Sequence, residues 1–383
     1  MITLIILLSI FYSTLSFSET ISEFEDSGHY GLENIQHDKM SEFERMNYWY
    51  INQQNQLNLL NLGKLSYNRG IPPLFSFPLK TTTSDPGFYG ISNFVDMNSA
   101  FPNSIEDYNC GSRSYDTNSG YNHDGIDMFT WPYGWHKMDN SLVSINAVAN
   151  GTITSKFDGN ADRNCTFNNN PWNAVFVTHD DGSMVWYGHM KNGSLTTKNI
   201  GQTVLEGEYL GIVGSSGSST APHLHMETYN SSSQLIDPYS GACNTLNASS
   251  WWQSQTPYYD SKIVKLATHS AQPSLPTCPD TIDTPHFKNN FVGSDLVYFV
   301  RYFQDQLQDQ VANMKVIRPD GSTWDSWTHS SSTVHYSASY WYNSRTLPSN
   351  PQSGTWIFQV VFQGITSEHE FYVNDVIFDS GFE

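Results

Sequence analysis

Charge is scarce in this 383-residue chain, and basic charge is scarcest: 14% of residues are charged, with 18 Lys and Arg against 37 Asp and Glu, a formal net charge of −19. That shortage argues against a protein that tracks nucleic-acid phosphates, which needs a basic patch. It also leaves no polybasic handle for anionic lipid. Cysteine is equally sparse. Cys110, Cys165, Cys243 and Cys278 include no Cys-x-x-Cys arrangement, which argues against a structural zinc site built from thiolates. Four cysteines fit an oxidising compartment and allow three disulfide pairings, all of which stay open. Low-complexity tracts are missing, and beyond the N-terminus no stretch is apolar enough to span a bilayer.

The one long apolar run is at the start. Met1 to Ser18 holds no charged residue, passes through Leu4 to Tyr12, and ends in Ser16-Phe17-Ser18 before the first acid at Glu19. This is the pattern of a secretory signal peptide (1–18). It predicts a secreted or periplasmic protein with no membrane contact after cleavage.

What the chain does have is aromatic and turn-forming residues: 11 Trp, 22 Tyr, 22 Phe and 26 Gly. That composition favours short strands and turns over long helices. The length accommodates two or three domains with sizeable cores.

Residues 19–74 are polar, with Phe43, Met46, Tyr50, Leu57 and Leu60 near helical spacing. One amphipathic helix is predicted there, either packed on the following domain or serving as a pro-segment or lid. From 75 to 260 the chain reads as antiparallel β structure. Gly151–Phe157 alternates, and Ala174–His179 meets Ser183–His189 across Asp181-Gly182, a dipeptide suited to a tight hairpin turn. Asn199–Val213 reads as a further pair of strands. Residues 261–280 shift towards Ser, Pro, Thr and Lys and are expected to be a linker. Residues 281–375, with strand-like runs at Asp295–Phe303, Met314–Trp324, Gly354–Phe362 and Glu368–Val373, are expected to form a β-sandwich. Its aromatics are expected to be mainly core, with polymer or carbohydrate contact as the alternative. Residues 376–383 read as a C-terminal tail. The fold class is thus mainly β, with a short helical N-terminal segment.

Chemistry concentrates in Ala221-Pro-His-Leu-His-Met-Glu227. On a strand His223 and His225 project to the same side. They could share one metal ion, or divide the work between holding the ion and handling a proton. Glu227 is expected on the opposite face, supporting the strand. Small residues in Gly211–Thr220 leave room for another backbone to approach. No Lys follows them and no helix is predicted, which rejects a phosphate-cradling loop. Upstream, His123 and Asp127 offer imidazole nitrogen and carboxylate oxygen, both good zinc ligands, and Gly125 lets the backbone bend between them. Together with His-x-His these supply three N/O ligands and leave a fourth position for water, as catalytic zinc requires. His189 supplies one more imidazole, suited to polarising a carbonyl or stabilising an oxyanion. Asp124 reads as a solvated neighbour, and His179 with Asp180 as hairpin residues. His29, His37, His136, His269, His286, His329, His335 and His369 read as surface histidines.

In order and spacing, His123-Asp-Gly-Ile-Asp127, Val148-Ala-Asn-Gly-Thr-Ile153, Trp186-Tyr-Gly-His-Met190 and Gly214–Glu227 resemble the LytM/lysostaphin-type zinc endopeptidases over about Phe75 to Tyr239. The resemblance implies an antiparallel β-sheet catalytic domain. It implies one catalytic Zn2+ held by His123, Asp127 and His225, with His223 as general base and His189 as its partner at the transition state. The implied substrate is the peptide portion of bacterial cell-wall peptidoglycan, at crosslinks or Gly-containing bridges. Alternatives are a secreted protease acting on Gly-rich extracellular proteins, and a non-catalytic wall-binding or hydrolase-activating protein. Two segments depart from the family pattern: Phe129 to Asn140 after Asp127, and the Asn-rich insertion Asn160 to Trp172 around Cys165. A family tyrosine ahead of the first ligand corresponds to Tyr115 or Tyr121.

Overall fold

The structure is a computed structural model, and it describes residues 42–68 and 70–374. The expected signal peptide 1–18, the tail 376–383, His29 and His37 lie outside these residues. The chain enters through helix α1 (Glu42–Asn61). It continues through β1 (Leu79–Thr81), β2 (Tyr89–Asn93), β3 (Ile126–Thr130), a short helix α2 (Gly134–Asp139), β4 (Val143–Asn146), β5 (Gly151–Phe157) and β6 (Ala174–Thr178). Then follow β7 (Met184–Tyr187), β8 (Thr203–Val204), β9 (Tyr209–Ile212), β10 (His223–Tyr229) and β11 (Leu235–Ile236). The main sheet has the order β2-β3-β10-β7-β6-β5-β8, with β11 added to β10, and a small sheet β1-β4-β9 packs below it. The pairings within both sheets are antiparallel.

Strand periodicity explains this layering. Ile126 and Met128 of β3, Leu224 and Met226 of β10, and Val175 and Val177 of β6 point to one face and bury against Val143, Ile145 and Leu210 of the small sheet. The intervening residues point to the other face, where Asp127 sits opposite His225 and Phe129 opposite His223. The hairpin at Asp181-Gly182 forms as expected, with Gly182 at φ 91°. The two strands read in Asn199–Val213 are present, but they do not pair with each other: β8 joins β5, and β9 joins β4.

Helix α1 lies across the upper face of the main sheet, and its buried side is not the apolar stripe. Met46, Tyr50 and Leu57 are exposed, while Tyr48, Asn52 and Leu59 are buried. The receiving sheet face carries polar groups, which explains the exchange. Ser155 donates to Asn52 Oδ1 at 2.8 Å, and Gln56 Nε2 donates to Thr178 Oγ1 at 3.0 Å. Tyr48 packs with Trp172, Phe176 and Trp186 in a separate aromatic cluster.

The C-terminal sandwich comprises β12 (Lys262–His269), β13 (Asn290–Val292), β14 (Leu296–Leu307), β15 (Val311–Ile317), β16 (Thr323–Ser330), β17 (His335–Thr346), β18 (Gly354–Phe362) and β19 (Ile365–Asn374). A three-stranded sheet β12-β14-β17 faces a five-stranded sheet β13-β19-β18-β15-β16 across a core that includes Phe299, Phe303, Trp356 and Phe358. The first half of the expected linker is therefore a strand. Ile263 and Leu266 of β12 enter this core, and the compositional shift belongs to the residues after His269.

The aromatic segment after Asp127 docks the sandwich. Phe129, Trp131 and Tyr133 share a core cluster with Val264, Val300, Tyr302 and Tyr342. Arg113 adds a buried ion pair to Asp305 at 3.1 Å. The disulfides pair Cys110 with Cys243 and Cys165 with Cys278, and the second ties the Asn-rich insertion to the segment between β12 and β13.

Candidate metal centre

Antiparallel pairing of β3 with β10 places Asp127 directly opposite His225 on the upper face of the main sheet. His123, just ahead of β3, turns in beside them. Its Nε2 lies 3.2 Å from Asp127 Oδ2 and 3.3 Å from His225 Nδ1, and His225 Nδ1 lies 2.8 Å from Asp127 Oδ1. All three side chains are buried, and among the described residues they form the one such metal-capable group. Gly125 makes the approach possible, because a Cβ there would meet the His225 ring at 2.6 Å.

Hydrogen bonds on the far side of each ring fix which nitrogen faces the centre. His123 Nδ1–H donates to the Phe94 carbonyl at 2.8 Å, and His225 Nε2–H donates to Glu227 Oε1 at 3.1 Å. Asn93 Nδ2 donates to Asp127 Oδ2 at 3.1 Å. The three inward atoms are thus electron-rich acceptors brought together with their protons committed elsewhere, an arrangement that a cation at the centre relieves. Ligands about 2.0–2.2 Å from a tetrahedral zinc ion stand roughly 3.3–3.6 Å apart, close to the two separations from His123 and wider than the one between His225 and Asp127. Burial opposes the Asp127 charge, yet the facing imidazoles of His123, His223 and His225 hold its carboxyl well below the usual range. The donor set fits zinc.

Two more imidazoles flank this group. His223 Nδ1–H donates to the Ala221 carbonyl at 2.8 Å, and its Nε2 lies 3.6 Å from Asp127 Oδ1. His189, at φ 57° just past β7, donates from Nδ1–H to the Ser216 carbonyl at 2.5 Å, and its ring centre is 4.5 Å from that of His223. Gly214 backs this turn closely, since a Cβ there would meet Lys191 N at 2.5 Å. Trp172 is wedged beside His189, with ring centres 5.5 Å apart. A small cavity next to His189 is walled by Trp172, Gly217 and Ser218, and by Glu44 and Tyr48 of α1. The five residues singled out in the sequence are therefore assembled in one place. Of the two candidate tyrosines, Tyr115 stacks on His123 at 4.6 Å, and Tyr121 packs behind Tyr115 at 5.9 Å.

Three expectations are corrected. Glu227 shares the face of His223 and His225, since a separation of two residues keeps a strand side chain on the same side. Arg45 leads and His225 follows in bringing its carboxyl down to about 2 against burial. Asp124 is not simply solvated: it forms an ion pair with Arg45 at 3.4 Å. His269 is buried among Tyr133, Tyr302 and Phe287, and that burial lowers its pKa to about 3. Arg45 itself was missed, because nothing in its local sequence marks it. Its guanidinium reaches Glu227, Asp124 and Tyr229, and the two carboxylates outweigh burial to hold its pKa above the ordinary value.

A buried two-histidine, one-carboxylate group flanked by two imidazoles on an antiparallel sheet has the ligand types of a catalytic zinc centre. Residues 122–238 match the model of peptidase family M23, in keeping with the LytM/lysostaphin resemblance of the sequence. Solved structures similar to the chain include a zinc-containing peptidase from Vibrio cholerae, at 17% identity and a TM-score of 0.28, covering 43% of this chain and 39% of that one. The catalytic domain of lysostaphin from Staphylococcus simulans is 24% identical with a TM-score of 0.25, covering 39% of this chain and 89% of that one. The catalytic domain of the prophage-encoded M23 protein EnpA from Enterococcus faecalis is 24% identical with a TM-score of 0.25, covering 44% and 94%. The chain thus spans well under half the length of the Vibrio peptidase. No curated protein matches the chain.

Proposed function

We propose that the protein is a secreted zinc endopeptidase that hydrolyses peptide bonds in bacterial cell-wall peptidoglycan, at crosslinks or Gly-containing bridges. The observation that carries this reading is the convergence of His123, Asp127 and His225, with His223 and His189 beside them, on one sheet face. A zinc ion held by those three residues would polarise the scissile carbonyl and lower the pKa of a water molecule to about 7. His223, its Nδ1–H anchored on Ala221, presents Nε2 as the group that would accept a proton from an attacking water and give it to the leaving amine. His189, anchored on Ser216, turns its Nε2 to the developing oxyanion. Asp127 Oδ1 lies 3.6 Å from His223 Nε2 and 2.8 Å from His225 Nδ1, so its negative charge faces those two imidazoles. Two disulfides and the N-terminal apolar run support an extracytoplasmic location.

The test is mass analysis of products from a purified wall digest, with and without chelator, alongside the zinc content of the protein. New peptide termini that vanish with chelator support the reading. A protein that takes up no zinc and leaves both walls and Gly-rich peptides intact overturns it.

A further inference from the structure

Helix α1 was expected to be either a packed helix or a removable segment, and it makes direct contacts with the site. Arg45 lies in the first turns of α1, and its Nη1 is 2.6 Å from Glu227 Oε2 and 3.1 Å from Tyr229 Oη. The other oxygen of Glu227 receives the Nε2–H of His225. One carboxylate therefore links the helix to the ring whose Nδ1 faces Asp127 and His123. Glu227 has no solvent exposure and the Arg45 side chain only 14%. Tyr229 also donates to Glu227 Oε2, so that oxygen is held from two sides.

We infer that Arg45 is a positioning residue for the metal ligand His225, acting through Glu227, and that α1 is accordingly a working part of the enzyme. This rests on the zinc-site reading above. A carboxylate that receives the outer N–H of a metal-binding imidazole fixes the orientation of the ring and the nitrogen it offers, and losing such a partner typically costs about 10–100-fold in metal affinity. Glu227 can do this only while it is itself held. Without Arg45 it is a fully buried carboxylate that has lost its guanidinium and keeps only the Tyr229 hydroxyl on that oxygen, so its hold on His225 loosens. Glu44 and Tyr48 of the same helix wall the cavity beside His189, so removing α1 would open the site as well as loosen its ligand.

The experiment uses the mature full-length chain with Zn2+ and Co2+ as probes. Arg45→Met, which keeps the aliphatic stem, and Arg45→Lys, which keeps the charge, are compared with Glu227→Gln and with Leu59→Ala. Leu59 sits near the far end of α1 against Gly201, away from the site. Zn2+ affinity is read by chelator competition, ligand geometry by the visible spectrum of the Co2+ form, and helix docking by the melting temperature of the metal-free protein. Arg45→Met is expected to weaken Zn2+ binding about 10–100-fold and to shift the Co2+ spectrum. Arg45→Lys recovers part of the loss, and Arg45→Met adds little in a Glu227→Gln background. Leu59→Ala lowers the melting temperature but leaves Zn2+ affinity and the Co2+ spectrum unchanged. Unaltered Zn2+ binding and Co2+ spectrum in Arg45→Met overturn the inference alone, as does an equal loss of Zn2+ affinity in Leu59→Ala. Should Arg45→Met fail to fold, Arg45→Lys and Glu227→Gln decide by the same readouts. A wild-type chain that binds no Zn2+ overturns the zinc-site reading and this inference with it.

Discussion

Each imidazole at the centre turns one nitrogen to an anchor and leaves the other facing inward, and the anchors differ in kind. His123, His189 and His223 hold to backbone carbonyls, whereas His225 holds to a carboxylate. That difference predicts separable phenotypes. His123→Ala and Asp127→Ala are expected to abolish Zn2+ binding. His223→Ala is expected to keep Zn2+ but to lower kcat about 10²–10⁴-fold, the usual worth of a general base. Zinc content and kcat measured on the same preparations check this. A second residue-scale prediction concerns Asp237. It is fully buried, with its pKa pushed up to about 8 by burial that outweighs hydrogen bonds from the backbone of Tyr239 and Val95. The folded state therefore binds a proton that the unfolded state has lost above its ordinary carboxyl pKa. Stability should fall as pH rises from about 4 to about 8, by at most about 1.4 kcal/mol per pH unit from this group. In Asp237→Asn that slope should flatten and the melting temperature at pH 8 should rise, as a pH series of thermal melts would show.

Among the elements, β10 was legible and α1 only half so. The site strand is read from alternation alone, and the same alternation contains Glu227, so a correct count of the period places that carboxylate beside His225. The helix was legible as a helix, but its docked face was not. The sheet surface beneath it is set by Ser155, Thr178 and Met184, which lie more than a hundred residues away, and a periodicity argument assumes an apolar partner. Strand β12 was hidden for a related reason: it is buried on both sides, by the sandwich core and by the aromatic dock, and so lacks alternation. The turn after β7 offers a prediction at this scale. A Cβ at Gly188 would fall 2.0 Å from the ring of buried Trp172, so Gly188→Ala must displace the ring or the turn that carries His189. We expect a loss of about 1–3 kcal/mol in stability and a lower kcat, with Zn2+ binding retained. Denaturant unfolding and metal titration of the variant check both parts.

For the whole molecule, the peptidase segment and the sandwich are joined by packing, charge and covalent bonds together. The ion pair of Arg113 with Asp305 is buried, Asp305 also accepts from His335 at 2.9 Å, and the Arg113 guanidinium further donates to the carbonyls of Ile91 and Tyr258. Arg113→Met leaves Asp305 without its guanidinium and is expected to cost about 3–5 kcal/mol. Scanning calorimetry should show one transition for the wild type, and a lower one that splits in two when Cys165–Cys278 is also removed. This union was not legible in the sequence. Phe129 to Asn140 stood out only as a departure from the family pattern, and its reason is a partner surface that begins more than a hundred residues later.

The dock carries one more implication. Phe129 belongs to the strand that bears Asp127 and sits opposite His223, and it shares a cluster with residues of β12, β14 and β17 of the sandwich. The sandwich is thus packed, through a few aromatic rings, against the strand that carries Asp127, so a shift of one is felt by the other.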